Sequence, residues 1–223
     1  MKVTLLAPTL NEIEAVRVIL PKIKKEWVDE ILIIDGGSTD GTIEYCREHG
    51  YRVLSQKSRG YGAGMKEGAS AAQGDLIIEF PADGNSPPDK IPEVVNKLKQ
   101  GYDFVVASRY LGGAKSYDDD FLTAKGNWIF TKLVNLLFRA DYTDVLIGFR
   151  GYRKLAFDGL KMDAAGLSWS IQMPIKFAKR KLKVAEIPAD EPKRIGGVRK
   201  MKPFKTGWEI LKVVLREFFN KQL

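Results

Sequence analysis

The chain reads as an α/β protein: a mostly parallel sheet with helices on both faces, one domain, closed by an amphipathic C-terminal helix. Three observations predict this. Short apolar runs alternate with helix-length stretches, as in a sheet built from β-α-β units. Two of the runs, "EILIID" (30–35) and "DLIIEF" (75–80), are almost continuously apolar, the mark of strands buried on both faces. Four runs end in small, polar, turn-forming loops, and in open parallel sheets ligands bind beyond the carboxyl ends of the strands.

Taken in order, "KVTLLAP" (2–8) is a strand and "EIEAVRVILPKIKKEW" a helix interrupted near Pro21. After the strand 30–35, "DGTIEYCREHG" (40–50) is a helix with Asp40 as cap and Gly50 as stop. "YRVLSQ" is a short strand and "AGMKEGASAAQG" (63–74) a helix of small residues. The strand 75–80 is followed by the helix "DKIPEVVNKLKQG" and the strand "DFVVASRY" (103–110). The pattern then changes. Residues 112–122 are a loop, 123–140 a long helix, and "DVLIGFRGYRK" (144–154) a turn or short strand. "LSWSIQMPIKFAKRK" (167–181) is a helix that Pro174 is expected to bend or restart. "LKVAEIP" is a strand, and 205–223 an amphipathic helix with apolar residues at Trp208, Leu211, Val214, Leu215, Phe218 and Phe219, widened by Ile210 and Val213. Lys205, Lys212, Arg216 and Lys221 take other positions. The domain is assigned to 1–200, in halves 1–113 and 114–200, with 201–223 as the terminal basic helix.

With 223 residues, 44% of them hydrophobic, the chain can bury a sizeable core, and disorder is excluded. A single cysteine, Cys46, points to a reducing compartment. Cys46 and the lone His49 share "YCREHG" and read as ordinary residues near a helix end. The first apolar run is too short for a signal peptide, and none approaches the ~18 residues of a membrane span. The net charge of +8 is concentrated from Lys176 onward, in "KFAKRKLK", "PKRIGGVRKMKPFK" and "LREFFNK", which points to an anionic partner there or to a plain solvated basic face.

The strand-end loops are "PTLNE" (8–12), "DGGSTDGT" (35–42), "PADGN" (81–85) and "SRYLGG" (108–113). Any one is explained by turn chemistry alone; four on one edge describe a site for a polar, phosphorylated ligand. Neither G-x-G-x-x-G opening a first helix nor G-x-x-x-x-G-K-[ST] is present, so dinucleotide and P-loop sites lack their signatures.

"APTLNE", "IIDGGSTDGT", "PADGNSPP", "ASRYLGG" and "DVLIGFRGYRK" stand in the order seen in family 2 glycosyltransferases, and residues 3 to 200 resemble the polyprenyl-phosphate sugar synthases of dolichol-phosphate mannose synthase type. The resemblance implies a GT-A (Rossmann-like) fold, a nucleotide-sugar donor such as GDP-mannose or UDP-glucose held by the first half, inversion at the anomeric carbon, a divalent Mg²⁺ or Mn²⁺, and a polyprenyl or dolichyl phosphate acceptor met by the second half. Pro8 and Glu12 match the loop that holds the nucleoside. Asp35 matches the aspartate that accepts from base or ribose, with Gly37 beside it, while Ser38 and Asp40 shape the turn or serve the donor. "KSRGYGAG" (57–64), with Lys57 and Gly62, matches a glycine-rich segment near the nucleotide.

Where the family writes D-A-D, this chain has Pro81, Ala82, Asp83. Asp83 matches the metal-contacting aspartate and Asn85 a further metal neighbour. One carboxylate with donor phosphates and water is an adequate Mg²⁺ set, but a charge is missing from the site. On the acceptor side, Arg109 and Lys125 are assigned to the lipid phosphate and Arg150 to organising the site. Asp144 matches an acidic position.

A lipid monophosphate is ionised near neutrality, with a second pKa of about 6, so it needs no general base and the reaction no histidine. Two alternatives stay open: a GT-A enzyme acting on a sugar or other hydroxyl, which would want a carboxylate where Gln172 stands, and a protein that binds nucleotide-sugar or lipid without turnover. The expected partners are the donor, the lipid phosphate, and the membrane surface or a membrane-embedded subunit, but not nucleic acid. The expected location is the cytoplasm, peripheral on the cytoplasmic face of the membrane.

Overall fold

The apolar runs form one seven-stranded sheet in the computed structural model, which describes residues 1–198 and 200–220. The strands are β1 (Val3–Thr9), β2 (Glu30–Asp35), β3 (Arg52–Ser55), β4 (Leu76–Glu79), β5 (Phe104–Ser108), β6 (Arg150–Arg153) and β7 (Val184–Pro188), in the order β3-β2-β1-β4-β6-β5-β7. β1 lies inside the sheet, third in this order, with Leu5 opposite Ile31 of β2 and Ile78 of β4. All pairings are parallel except those of β6, which runs antiparallel to both β4 and β5. The motif "DVLIGFRGYRK" thus yields a strand only over its last part. The chain order reverses between β1 and β4, which opens a crevice at their carboxyl ends.

The helices are α1 (Ile13–Ile19), α2 (Thr42–Glu48), α3 (Tyr61–Ala71), α4 (Ile91–Lys99), α5 (Phe121–Phe138), α6 (Lys154–Asp158), α7 (Trp169–Lys179) and α8 (Pro203–Phe219). α1 gives way to a 3₁₀ turn at Leu20–Lys22, where Pro21 interrupts it as expected. α5 starts two residues earlier than the sequence pattern predicts, because the Asp120 carboxylate accepts the Thr123 N–H at 2.7 Å and caps it.

Two expectations are corrected. Pro174 does not restart α7, which runs unbroken through it from Trp169 to Lys179. It lacks an N–H, so the Ser170 carbonyl one turn back loses its helical donor; Arg150 Nη1 supplies another at 2.9 Å. The second correction concerns the terminal helix. Its buried side is Thr206, Ile210, Val213, Val214 and Glu217, rotated from the stripe read in the sequence. Ile210, Val213 and Val214 join the same core as the sheet. Exposing each would cost about 1.5–3 kcal/mol, so α8 stays docked. Trp208, Leu215, Phe218 and Phe219 remain exposed. Residues 221–223, with Lys221, lie outside the described residues.

Candidate active site

A cleft of about 980 Å³ opens at the carboxyl ends of β1 and β4 and runs to the first turns of α5 and α8. Its sheet-side wall is built from two loops that lace together. Asn11 adopts a left-handed backbone (φ 56°), which an Asn tolerates when its amide bonds locally. Its N–H donates to Ser38 Oγ (2.9 Å), and its Oδ1 accepts from the Thr39 N–H (2.7 Å). The Glu12 N–H donates to Thr42 Oγ1, and the Ile13 N–H to Asp40 Oδ2, both at 3.1 Å. Ser38 and Asp40 therefore shape the turn. Asp35 does the same: its two oxygens accept from the N–H groups of Gly37 (3.1 Å) and Ser38 (3.0 Å). Gly37 is needed for its φ of 99°, with open space where a side chain would be.

Glu12 and Asp83 converge on one cation. Arg194 Nη2 donates to Asp83 Oδ2 at 2.6 Å and Nη1 to Glu12 Oε1 at 3.2 Å, and Lys200 Nζ lies 3.4 Å from the same Glu12 oxygen. Burial pushes the carboxyls of both Asp83 and Glu12 above their ordinary range, with Arg194 pulling each back. Among the described residues, Glu12 Oε2 and Arg194 Nε are buried without a hydrogen-bond partner. Asn85 donates through Nδ2 to Glu191 Oε1 at 3.3 Å. These are hard oxygen donors of the kind that divalent Mg²⁺ or Mn²⁺ takes. Among the described residues no group of three or more His, Cys, Asp or Glu side chains is arranged to hold a metal. Two carboxylates with a diphosphate and water still fit such an ion.

Arg109 is not a free cation. Its Nε and Nη2 donate to Asp144 (2.7 and 3.1 Å), and its Nη1 to Asp119 (2.9 Å) and Glu191 (3.2 Å). Burial works against the charge, but the three carboxylates hold the guanidinium firmly protonated. Its fork is thus spent inside the protein, which counters its assignment to the acceptor phosphate. Arg150 is buried beneath the cleft, opposite Glu79 on the antiparallel ladder, and donates to Glu79 Oε2 at 2.7 Å. Trp169 Nε1 donates to the other oxygen of Glu79 at 3.1 Å. Arg150 therefore organises the floor from below.

Of the residues singled out in the sequence, Pro8, Glu12, Asp83, Asn85 and Arg109 line the cleft; Asp35, Gly37, Lys57, Gly62, Lys125 and Arg150 do not. Lys57 is exposed, and its backbone N–H donates to Glu67. Gly62 is small because a Cβ there would meet the Ala164 carbonyl oxygen at 2.1 Å, so its partner is the protein itself. Lys125 is exposed over the Phe121 ring, 5.9 Å from its centroid. Among the described residues, the basic side chains lining the cleft besides Arg109 are Arg59, Arg194, Lys200, Lys202 and Lys205. The sequence carries them in visible basic stretches, but nothing local tells that residues 192–198 and 200–202 fold back over β1 and β4. Gln172 is buried away from the cleft, where Oε1 accepts from the Ala164 N–H (2.8 Å) and Nε2 donates to Glu217 (2.8 Å).

Residues 4–160 match the family described as Glycosyl transferase family 2. A dolichyl-phosphate hexose transferase of Haloferax volcanii is 29% identical over 218 residues, which cover 96% of this chain and 93% of that protein. A dolichol-phosphate mannosyltransferase of Pyrococcus furiosus is 30% identical over 97% of this chain, which spans 63% of that protein's length. Among solved structures, glucosyl-3-phosphoglycerate synthase from Mycobacterium tuberculosis, in complex with Mn²⁺, UDP and phosphoglyceric acid, aligns over 99% of this chain and 80% of its own with a TM-score of 0.76. At 20% identity that likeness is one of fold, the GT-A fold expected from the sequence motifs.

Proposed function

The chain belongs to glycosyl transferase family 2, and from that premise we propose that it moves a hexose from a nucleotide-sugar to the phosphate of a polyprenyl or dolichyl lipid, with inversion at the anomeric carbon. One observation carries the reading. A single cleft joins the Glu12–Asp83 carboxylates to the first turns of two helices whose outer faces are apolar and basic. On α5 and α8 the side chains of Phe121, Trp128, Phe204 and Trp208 are 59–84% exposed. Lys212 lies over the Trp208 ring as Lys125 does over Phe121. Aromatic side chains flanked by lysines suit the boundary of an anionic bilayer, where each cation adds about 1 kcal/mol. No helix among the described residues is long and apolar enough to cross a membrane. We place the protein on the cytoplasmic membrane face, its cleft mouth at the lipid.

Glu12, Asp83 and the Asn85 amide oxygen would hold Mg²⁺ or Mn²⁺. Such an ion supplies neutralisation of charge on the departing diphosphate. Arg59, Arg194 and Lys200 offer guanidinium and ammonium donors to the phosphates. The acceptor phosphate oxygen forms a bond to C1 as the bond from C1 to the diphosphate breaks, which inverts the centre. An ionised phosphate needs no base, and Gln172 supplies none. The names of the Haloferax and Pyrococcus relatives support the lipid phosphate as acceptor.

The test is transfer of labelled hexose from GDP-mannose or UDP-glucose, with Mg²⁺ or Mn²⁺, to a polyprenyl phosphate. Asp83→Asn is expected to lower turnover by about 10²–10³ while the protein melts as a folded domain. Sugar appearing on hydroxyl acceptors but not on the lipid phosphate would overturn the acceptor. Wild-type turnover in the variant would remove Asp83 from the chemistry.

A further inference from the structure

We propose that Arg194 is an internal counter-cation of the Glu12–Asp83 site: it bars the site to free divalent metal until a nucleoside diphosphate takes the guanidinium over, so that metal and nucleotide enter together. The inference rests on the donor reading above. It starts from a strap, residues 192–198 and 200–202, that crosses the carboxylates from the far end of the chain. The Ile195 N–H donates to the Asp83 carbonyl at 2.9 Å, and the Ile195 side chain packs so tightly on Gly84 that a Cβ there would meet it at 2.5 Å. Gly196 and Gly197 then turn through left-handed conformations (φ 62° and 65°). A Cβ on either would strike a carboxylate, that of Glu14 at 2.1 Å and that of Glu12 at 2.3 Å. The strap is therefore shaped to this wall.

The charges are matched without a metal. Arg194 bridges the two carboxylates, and Lys200 approaches Glu12. A divalent ion arriving alone has to displace a partly buried, charge-assisted pair and leave the guanidinium unpaired, which is unfavourable. A diphosphate changes the exchange. A guanidinium fork fits phosphate oxygens as well as carboxylate, while freed carboxylates fit a hard cation. Two atoms stand in reserve for that exchange. Among the described residues, Arg194 Nε is a buried donor without an acceptor, and Glu12 Oε2 a buried acceptor without a donor. Each points to the partner that arrives: an anion for the one, a cation for the other.

The experiment measures Mn²⁺ retention by the full chain, from the loss of the free-ion electron paramagnetic resonance signal, with Mn²⁺ alone and with UDP or GDP added. Wild-type protein is expected to bind Mn²⁺ alone at least tenfold more weakly than with the nucleotide that fits. Arg194→Gln is expected to gain at least tenfold in affinity for Mn²⁺ alone and to depend less on nucleotide than wild type does. Gly197→Ala removes no charge, dislodges the strap, and is expected to move the metal-alone affinity in the same direction; circular dichroism confirms that both variants are folded. A folded Arg194→Gln that binds Mn²⁺ alone no better than wild type overturns the proposal. If Arg194→Gln gains metal-alone affinity but neither nucleotide promotes binding in wild type, the gate stands and the donor reading falls.

Discussion

The two walls of the cleft are held by different kinds of partner. On the sheet wall the polar side chains of one loop bond to backbone within that loop or its neighbour. Asp35 serves Gly37 and Ser38, and Asp40 serves Thr42 and Ile13. On the opposite wall the partners are charged and distant in sequence. Arg109 reaches Asp144 and Glu191, and Arg194 reaches Glu12 and Asp83; away from the cleft, Glu217 reaches Lys176 and Lys179 in the same way. Local bonds to backbone specify a shape that nothing short of unfolding changes. Long-range ion pairs specify a position, and their members can trade partners when a ligand of the right charge arrives.

The comparison breaks most visibly at Arg109. Arg109→Ala leaves carboxylates of Asp144, Asp119 and Glu191 crowded without their cation, and is expected to destabilise the protein by about 3–5 kcal/mol in denaturant unfolding. An unchanged midpoint, with a raised KM for lipid phosphate alone, would instead make Arg109 a substrate-binding cation and restore the expectation from the sequence.

A smaller effect sharpens it at Glu217. Burial works against its ionised form, but the hydrogen bond from Gln172 and the charges of Lys176 and Lys179 outweigh it, and the carboxyl lies below its ordinary 4.5. A lowered folded-state value stabilises fully above the unfolded value and is lost as pH falls through the folded one. Glu217→Gln is expected to cost about 1–3 kcal/mol at pH 7. The gap to wild type should hold constant down to about pH 5 and shrink below 4.5. A gap that persists unaltered to pH 3 would show that the charge is not what ties α8 to α7.

The smallest effect on folding belongs to the outer face of α8. Trp208→Ser, at a side chain 59% exposed, should shift stability by no more than about 0.5 kcal/mol. It should nonetheless reduce pelleting with anionic vesicles several-fold, and more at low salt than at high. Pelleting equal to wild type, or equal binding to neutral and anionic vesicles, would detach that face from the membrane.

The same contrast decides what could be read from the sequence. The strands were visible because burial on both faces leaves little but Leu, Ile and Val, and the interruption at Pro21 was visible because a missing N–H acts locally. Glu12, Asp83 and Asn85 were singled out because they match family motifs in strand-end loops, and the fold brings those loops to the cleft. Lys125 was assigned to the cleft from its place at the start of α5, but a helix start does not say which face turns inward; Thr123, Gly126 and Asn127 do. Arg109 was chosen as a cation at a strand end, and only the fold reveals that three carboxylates reach it first. Arg194 was passed over within a run of basic residues, since its partners lie 111 and 182 residues away. The stripe on α8 was displaced because Thr206 and Glu217, both polar, face inward to partners no periodicity can show.

Pro174 has a mechanical consequence. The rung it removes from α7 is replaced by a strut from the sheet, since the Ser170 carbonyl accepts from Arg150, which also grips Glu79 at the end of β4. The strut ties α7 to the end of β4, and four residues beyond Glu79 stands Asp83. The gap in the helix thus becomes a crossbeam from helix to sheet, made with a carbonyl that a regular helix would have kept for itself.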